Sequence, residues 1–239
     1  MTLVSSLIRS RPLPLLRARG LTLSFGATHA LRGVDVDIER GEIVAVMGPS
    51  GSGKSTLIHV LGGVLAPDEG EVFYRGVCIS ELGEAARSRI RLSDFGFVFQ
   101  FGQLLPELTA LDNVTIPLML GGMPRRLARA RALMWLEELD VVELAGKLPT
   151  RMSGGEAQLV AIARALSTEP TVLFADEPTG ALDSLVAETV METLTTVSRS
   201  NGTALVIVTH DARTASYSDR EIMVRDGRAL SRSGADDTR

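Results

Sequence analysis

The run Gly48, Pro49, Ser50, Gly51, Ser52, Gly53, Lys54, Ser55 follows the apolar stretch Ile43–Met47 without a break. It leads through Thr56 into Leu57, Ile58, His59, Val60 and Leu61. Few folds accommodate such a join. Glycines between a strand and a helix let successive backbone N–H groups turn inward, and the helix N-terminus adds partial positive charge at the same place. That is a cradle for phosphate. Lys54 is placed to reach the β- and γ-phosphates of a nucleoside triphosphate, and Ser55 to ligate Mg²⁺. The bare pattern arises by chance in roughly one chain of this length in a hundred, and the flanking strand and helix make it rarer still.

Apolar runs predict strands at 21–25, 34–38, 43–47, 71–74, 95–99, 171–175, 204–209 and 221–224. Three of them, IVAVM, VLFAD and ALVIVTH, are apolar nearly throughout, as strands covered on both faces of a parallel sheet should be. The implied core is α/β, with functional groups at the carboxyl ends of its strands. Between Pro106 and Ser167 the composition shifts to Leu, Ala, Arg and Glu, and the spacing of Leu127, Ala130, Arg131 and Met134 is helical. An inserted helical lobe, about 101–167, is expected there.

The 239 residues can bury a substantial core. A formal net charge of -4 gives no global reason to expect a nucleic-acid partner. The lone Cys78 cannot form an intrachain disulfide and is expected to pack as a small hydrophobe. No apolar run approaches the roughly 20 residues that a spanning helix requires. Residues 1–19 mix leucines with Arg9, Arg11, Arg17, Arg19 and two prolines, too broken for a secretory segment, and read as a flexible extension. Residues 229–239 read as a polar tail, leaving 20–228 as the folded domain.

A second apolar strand ends in Asp176, followed at once by Glu177. Beside a phosphate loop, a carboxylate at a strand end lies where the metal is held, and its neighbour can polarise an attacking water. Met152, Ser153, Gly154, Gly155 and Glu156, then AQLVAIARAL, then FADEPTGALD ending at Asp183, together resemble the signature and acidic-strand block of the ABC ATPases. Gln100 after FGFVF resembles the family's Q-loop, and Val208-Thr-His210 its switch histidine. The resemblance runs from about residue 21 to 227.

The resemblance implies a three-layer P-loop core with an antiparallel β subdomain and a helical subdomain bearing the signature. It also implies ATP and Mg²⁺ as cofactors. Gln100 would sense the metal and the water, His210 would contact the γ-phosphate, and Ser55 and Asp176 would complete the metal site. Ser153, Gly154, Gly155 and Asp183 would face the nucleotide of a second copy, closing an ATP-sandwich dimer. Phe25 stands where the family usually has an aromatic that stacks on adenine; any π-face can do this. Two positions depart from the pattern: Glu156 replaces the usual Gln, bringing a negative charge near the partner's nucleotide, and Leu159 replaces a common Arg.

The stretch FQFGQLLPELTALDNV further resembles the lipoprotein-releasing, macrolide-efflux and antimicrobial-peptide-resistance group. Such cassettes act with an integral membrane permease that carries an extracytoplasmic domain. This chain would then sit peripherally on the cytoplasmic face of the membrane, docked through Phe101, Leu104, Leu105 and Leu108 unless these pack inside the helical lobe. Two other classes share the motifs. A soluble ABC protein acting on DNA or ribosomes would normally add a second cassette, a coiled coil or a basic region, and a regulatory module would lose Glu177 or His210.

Overall fold

The computed structural model describes residues 13–231. Its strands are β1 (Leu16–Phe25), β2 (Thr28–Ile38), β3 (Ile43–Met47), β4 (Glu69–Tyr74), β5 (Val77–Cys78), β6 (Phe95–Phe99), β7 (Val172–Asp176), β8 (Ala204–Thr209), β9 (Arg220–Arg225) and β10 (Arg228–Ser231). The helices are α1 (Lys54–Leu61), α2 (Glu84–Ser93), α3 (Ala110–Leu120), α4 (Arg125–Glu138), α5 (Gly154–Leu166), α6 (Ser184–Asn201) and α7 (Ala212–Ala215). One sheet, ordered β2-β1-β4-β5, is antiparallel. The other, ordered β10-β9-β3-β8-β7-β6, is parallel except where β10 pairs with β9.

The parallel strands explain their own composition. In β3, β7 and β8 successive side chains go to different cores: Val44, Val46, Val172, Phe174, Val206 and Val208 join the cluster shared with α1 and the antiparallel sheet. Ile43, Leu173, Ala175, Leu205 and Ile207 join the cluster beneath α5, α6 and the helical lobe. A strand with both faces covered has no position left for a polar residue until its end. Its first polar groups therefore emerge together, at the carboxyl edge of the sheet, where the phosphate loop also lies.

Two boundaries differ from expectation. β1 starts at Leu16, inside the stretch expected to be an extension, because the arginines there alternate rather than interrupt. Leu16 and Ala18 are buried, while Arg17 and Arg19 turn outward to Asp37 of β2, at 3.5 and 2.7 Å. Residues 1–12 lie outside the described residues. At the other end, β10 takes up part of the expected tail. Asp226 and Gly227 both have positive φ, 50° and 74°, which closes a tight hairpin between β9 and β10. Residues 232–239 lie outside the described residues.

The expected helical lobe contains α3, α4 and α5. The spacing that marks α4 belongs to its outer side: Leu127 and Met134 are 50% and 67% exposed. Ala128, Ala132 and Leu136 form the buried face, where two alanines let α4 approach its neighbours closely.

Candidate functional site

A cleft of about 580 Å³ opens at the carboxyl edge of the parallel sheet, lined by Thr28, Ala30, Pro49–Gly51, Gly53–Thr56, Gln100, Glu177 and His210. Each functional group comes from a strand end: the loop from β3, Gln100 from β6, Asp176 and Glu177 from β7, and His210 from β8. Register makes this convergence automatic. Asp176 lies beside Phe99 on one side and Val208 on the other, so the residues that follow each strand arrive at one place.

Within the loop, glycine is required where the backbone passes other backbone. A Cβ on Gly48, whose φ is 149°, would stand 2.0 Å from the Val224 carbonyl oxygen; one on Gly53, φ 103°, would stand 2.3 Å from that of Ala30. No side chain caps α1 at Gly53, which leaves its first-turn N–H groups for a bound anion. Lys54 is buried and donates from Nζ to the Gly48 and Pro49 carbonyls at 2.8 and 2.9 Å. An ammonium has three donors, so one remains for a phosphate oxygen.

Ser55 donates from Oγ to Asp176 Oδ1 at 3.1 Å. This hydroxyl and carboxylate are hard oxygen donors that suit Mg²⁺, and they stand beside the phosphate cradle where such an ion would bridge to the nucleotide. Burial pushes the Asp176 carboxyl above its usual range, with the Ser55 hydrogen bond pulling the other way. Glu177 occupies the left-handed region, φ 48°, and its Oε1 lies 2.8 Å from His210 Nδ1. Gln100 rests against Gly180: a Cβ there would meet its Nε2 at 2.8 Å.

Other sequence candidates lie elsewhere. Ser153, Gly154, Gly155 and Asp183 do not line this cleft. Ser153 and Asp183 are the N-caps of α5 and α6, and Gly155 is buried where a Cβ would come within 2.4 Å of Val186 Cγ1, so it allows the two helices to touch. Phe25, 53% exposed, ends β1 one turn away from Thr28 and is not among the lining residues. Glu156 caps its own helix. Its Oε2 accepts from the Ser153 N–H at 2.7 Å while Ser153 Oγ accepts from the Glu156 N–H at 3.2 Å, a reciprocal cap. Lys147 stands 3.6 Å from its other oxygen.

Three residues to which the motifs assign no role hold the backbone on either side of Gln100. Gln158 donates to the Phe99 carbonyl at 3.0 Å, and Arg164 to those of Gly102 and Gln103, both at 2.8 Å. Buried Asn113 accepts from the Leu105 N–H and donates toward the carbonyls of Leu105, Leu108 and Thr109. A buried amide, or a partly buried guanidinium, on an apolar helix was the available signal.

The family model described as ABC transporter matches residues 31–180, more than half of the chain. The chain belongs to the ABC transporter family. This ABC cassette is 48% identical over 218 residues to the lipoprotein-releasing system ATP-binding protein LolD 2 of Caulobacter vibrioides, covering 90% of the chain and 96% of the relative. It is 42% identical over 216 residues to the LolD protein of Bacteroides fragilis, covering 90% and 100%. Among solved structures, the dimeric ABC transporter cassette MJ0796 matches with a TM-score of 0.85 and 38% identity over 92% of this chain and 100% of that one. A second MJ0796 dimer, in a post-hydrolysis state bound to ADP and Pi, gives 0.83 at 38% identity, over 92% and 100%. The cassette is an ATP-binding and ATP-hydrolysing subunit related to the LolD proteins, with the architecture of dimeric ABC ATPases.

Proposed function

We propose that two copies of the cassette close around two ATP molecules and hydrolyse them to drive a membrane permease. One observation carries this reading. The cleft gathers Lys54, Ser55, Gln100, Glu177 and His210, whereas Ser153 of the same chain lies outside it, so one copy holds half of a site. Ser153 and Gly154 are exposed at the N-terminus of α5, available to a second copy's nucleotide. Asp183 caps α6 beside them.

In the hydrolytic step, water attacks the γ-phosphorus in line while the bond to the β-γ bridging oxygen breaks. Lys54 and the N–H groups of residues 50–56 balance charge on the phosphate oxygens. Glu177 orients the water and takes its proton. With Nδ1 of His210 donating to Glu177, Nε2 is turned away from it and holds the γ-phosphate when the ring is the imidazolium, in which both nitrogens donate. Ser55, Asp176 and, through water, Gln100 would hold Mg²⁺, which when bound neutralises charge on the β- and γ-phosphates. Phe25 offers a stacking face for adenine without hydrogen bonds to the base edge. Phosphate release measured on Glu177→Gln tests the assignment, with near-complete loss of turnover at retained ATP binding expected. Phe25→Ala should weaken ATP affinity severalfold and Phe25→Tyr preserve it; unchanged affinity in Phe25→Ala removes Phe25 from the site.

No described helix is long and apolar enough to cross a membrane. The relatives' names place them in lipoprotein-releasing systems. On that similarity this cassette would work at the cytoplasmic face beneath a permease of a lipoprotein-releasing type, with an extracytoplasmic domain. Phe101 and Leu105, 73% and 47% exposed, are the docking candidates. Leu104 packs instead against the helical-lobe core, and Leu108 is half-buried. Membrane recruitment should fail when the permease is absent; normal recruitment without it contradicts docking.

A further inference from the structure

The turn that carries Glu177 and the segment that carries His210 are joined by two side-chain hydrogen bonds among the described residues. One is the Glu177–His210 contact itself. The other links Thr179 Oγ1 and Thr214 Oγ1 at 3.1 Å, with both threonines buried. Thr214 lies on α7, whose N-cap Asp211 follows His210 directly. The backbone closes the same circuit from below: the Glu177 N–H donates to the Val208 carbonyl at 2.9 Å, and the Gly180 N–H to the Glu177 carbonyl at 3.0 Å.

This circuit has work to do. A left-handed Glu costs energy relative to ordinary backbone, and such a residue stays put only when its surroundings over-determine it. Gly180, next to Thr179, is the surface against which the Gln100 amide rests. The turn 177–180 therefore sets three groups at once: the Glu177 carboxylate, its partner His210 and the seat of Gln100. Of the side chains in that turn, Thr179 supplies the buried polar anchor. Neither threonine lines the nucleotide cleft.

We propose that Thr179 and Thr214 are positioning residues for ATP hydrolysis, their buried hydroxyl pair fixing the turn that aims Glu177 at His210. This rests on the hydrolytic roles of Glu177 and His210. Valine keeps threonine's shape and removes the hydroxyl, so each single Val variant breaks the pair and leaves a lone buried hydroxyl. The double Val variant leaves none.

Steady-state ATP hydrolysis and nucleotide binding by the full chain test this with Thr179→Val, Thr214→Val, Thr179→Val/Thr214→Val, Thr179→Ser and Glu177→Gln. Each single Val variant should lose about tenfold in kcat, the size expected for one hydrogen bond, with KM and ATP affinity within about twofold of the parent. The double variant should lose no more than the worse single, because both act through one bond. Thr179→Ser should return kcat close to the parent's. A parental kcat in the double Val variant, with Glu177→Gln inactive, overturns the positioning role and leaves the catalytic assignment intact. Losses that multiply in the double variant overturn it as well. Glu177→Gln turning over at the parent's rate instead removes the hydrolytic assignment, and the positioning role with it.

Discussion

Glu156 and Gly48 show how a single residue's surroundings decide what its chemistry is for. From the sequence, Glu156 reads as a negative charge offered to a neighbouring nucleotide; in the fold its carboxylate is bound to the backbone of its own cap. The Ser153 backbone N–H, foremost, holds its carboxyl below the ordinary value of 4.5. A carboxyl depressed by folding stabilises the fold fully above its unfolded value and loses that contribution as pH falls through the lower folded one. Glutamine can keep the capping geometry without the charge. Glu156→Gln should thus cost less than ~1 kcal/mol at pH 7, since the group is partly solvent-screened, and the difference should vanish in acid. Thermal melts of both proteins from pH 7 to 3 check this; a gap that widens in acid would contradict it. Gly48→Ala is the harsher case, because its Cβ would collide with the Val224 carbonyl. ATP binding, measured by titration, should fall by more than about tenfold as the loop is forced out of register.

Element by element, the central sheet was legible before its edges were. β3, β7 and β8 announce themselves because burial on both faces leaves them apolar. β1 was truncated because its outward arginines resemble an interruption until their partner Asp37 is seen across the sheet. β10 is hidden although Asp226-Gly227 is a strong hairpin signal, since the strand that follows, Arg228–Ser231, is only four residues long and gives no apolar run. The phosphate loop and acidic strand end were legible because their chemistry needs fixed residue types at fixed spacing. Gln158 and Arg164 were not, since their targets are backbone carbonyls about sixty residues away, and Asn113 was not because its nearby partners are backbone groups that no motif specifies. Together they fasten the backbone on either side of Gln100 to α5 and α3. Burial lowers the Arg164 pKa. Arg164→Ala should cost about 1–2 kcal/mol by denaturant melting, as it removes hydrogen bonds to the carbonyls of buried Gly102 and exposed Gln103. A cost below ~0.5 kcal/mol would show the fastening to be incidental.

In the whole molecule, the phosphate cleft and the α5 N-terminus are separate surfaces of one chain, and that separation is the argument for a pair. Losing the γ-phosphate removes contacts made by both copies, so hydrolysis should release what ATP binding closes. Glu177→Gln keeps size and hydrogen bonding but not basicity, which should trap the closed pair. Lys54→Ala in the same background should prevent it, because the phosphate loop then loses its ammonium. The decisive measurement is size-exclusion chromatography of Glu177→Gln with ATP, with ADP and without nucleotide, beside the Lys54→Ala double variant. A dimer is expected with ATP alone and only while Lys54 is present; a monomer at saturating ATP, or a dimer indifferent to nucleotide, would contradict a site shared between Lys54 of one copy and Ser153 of the other.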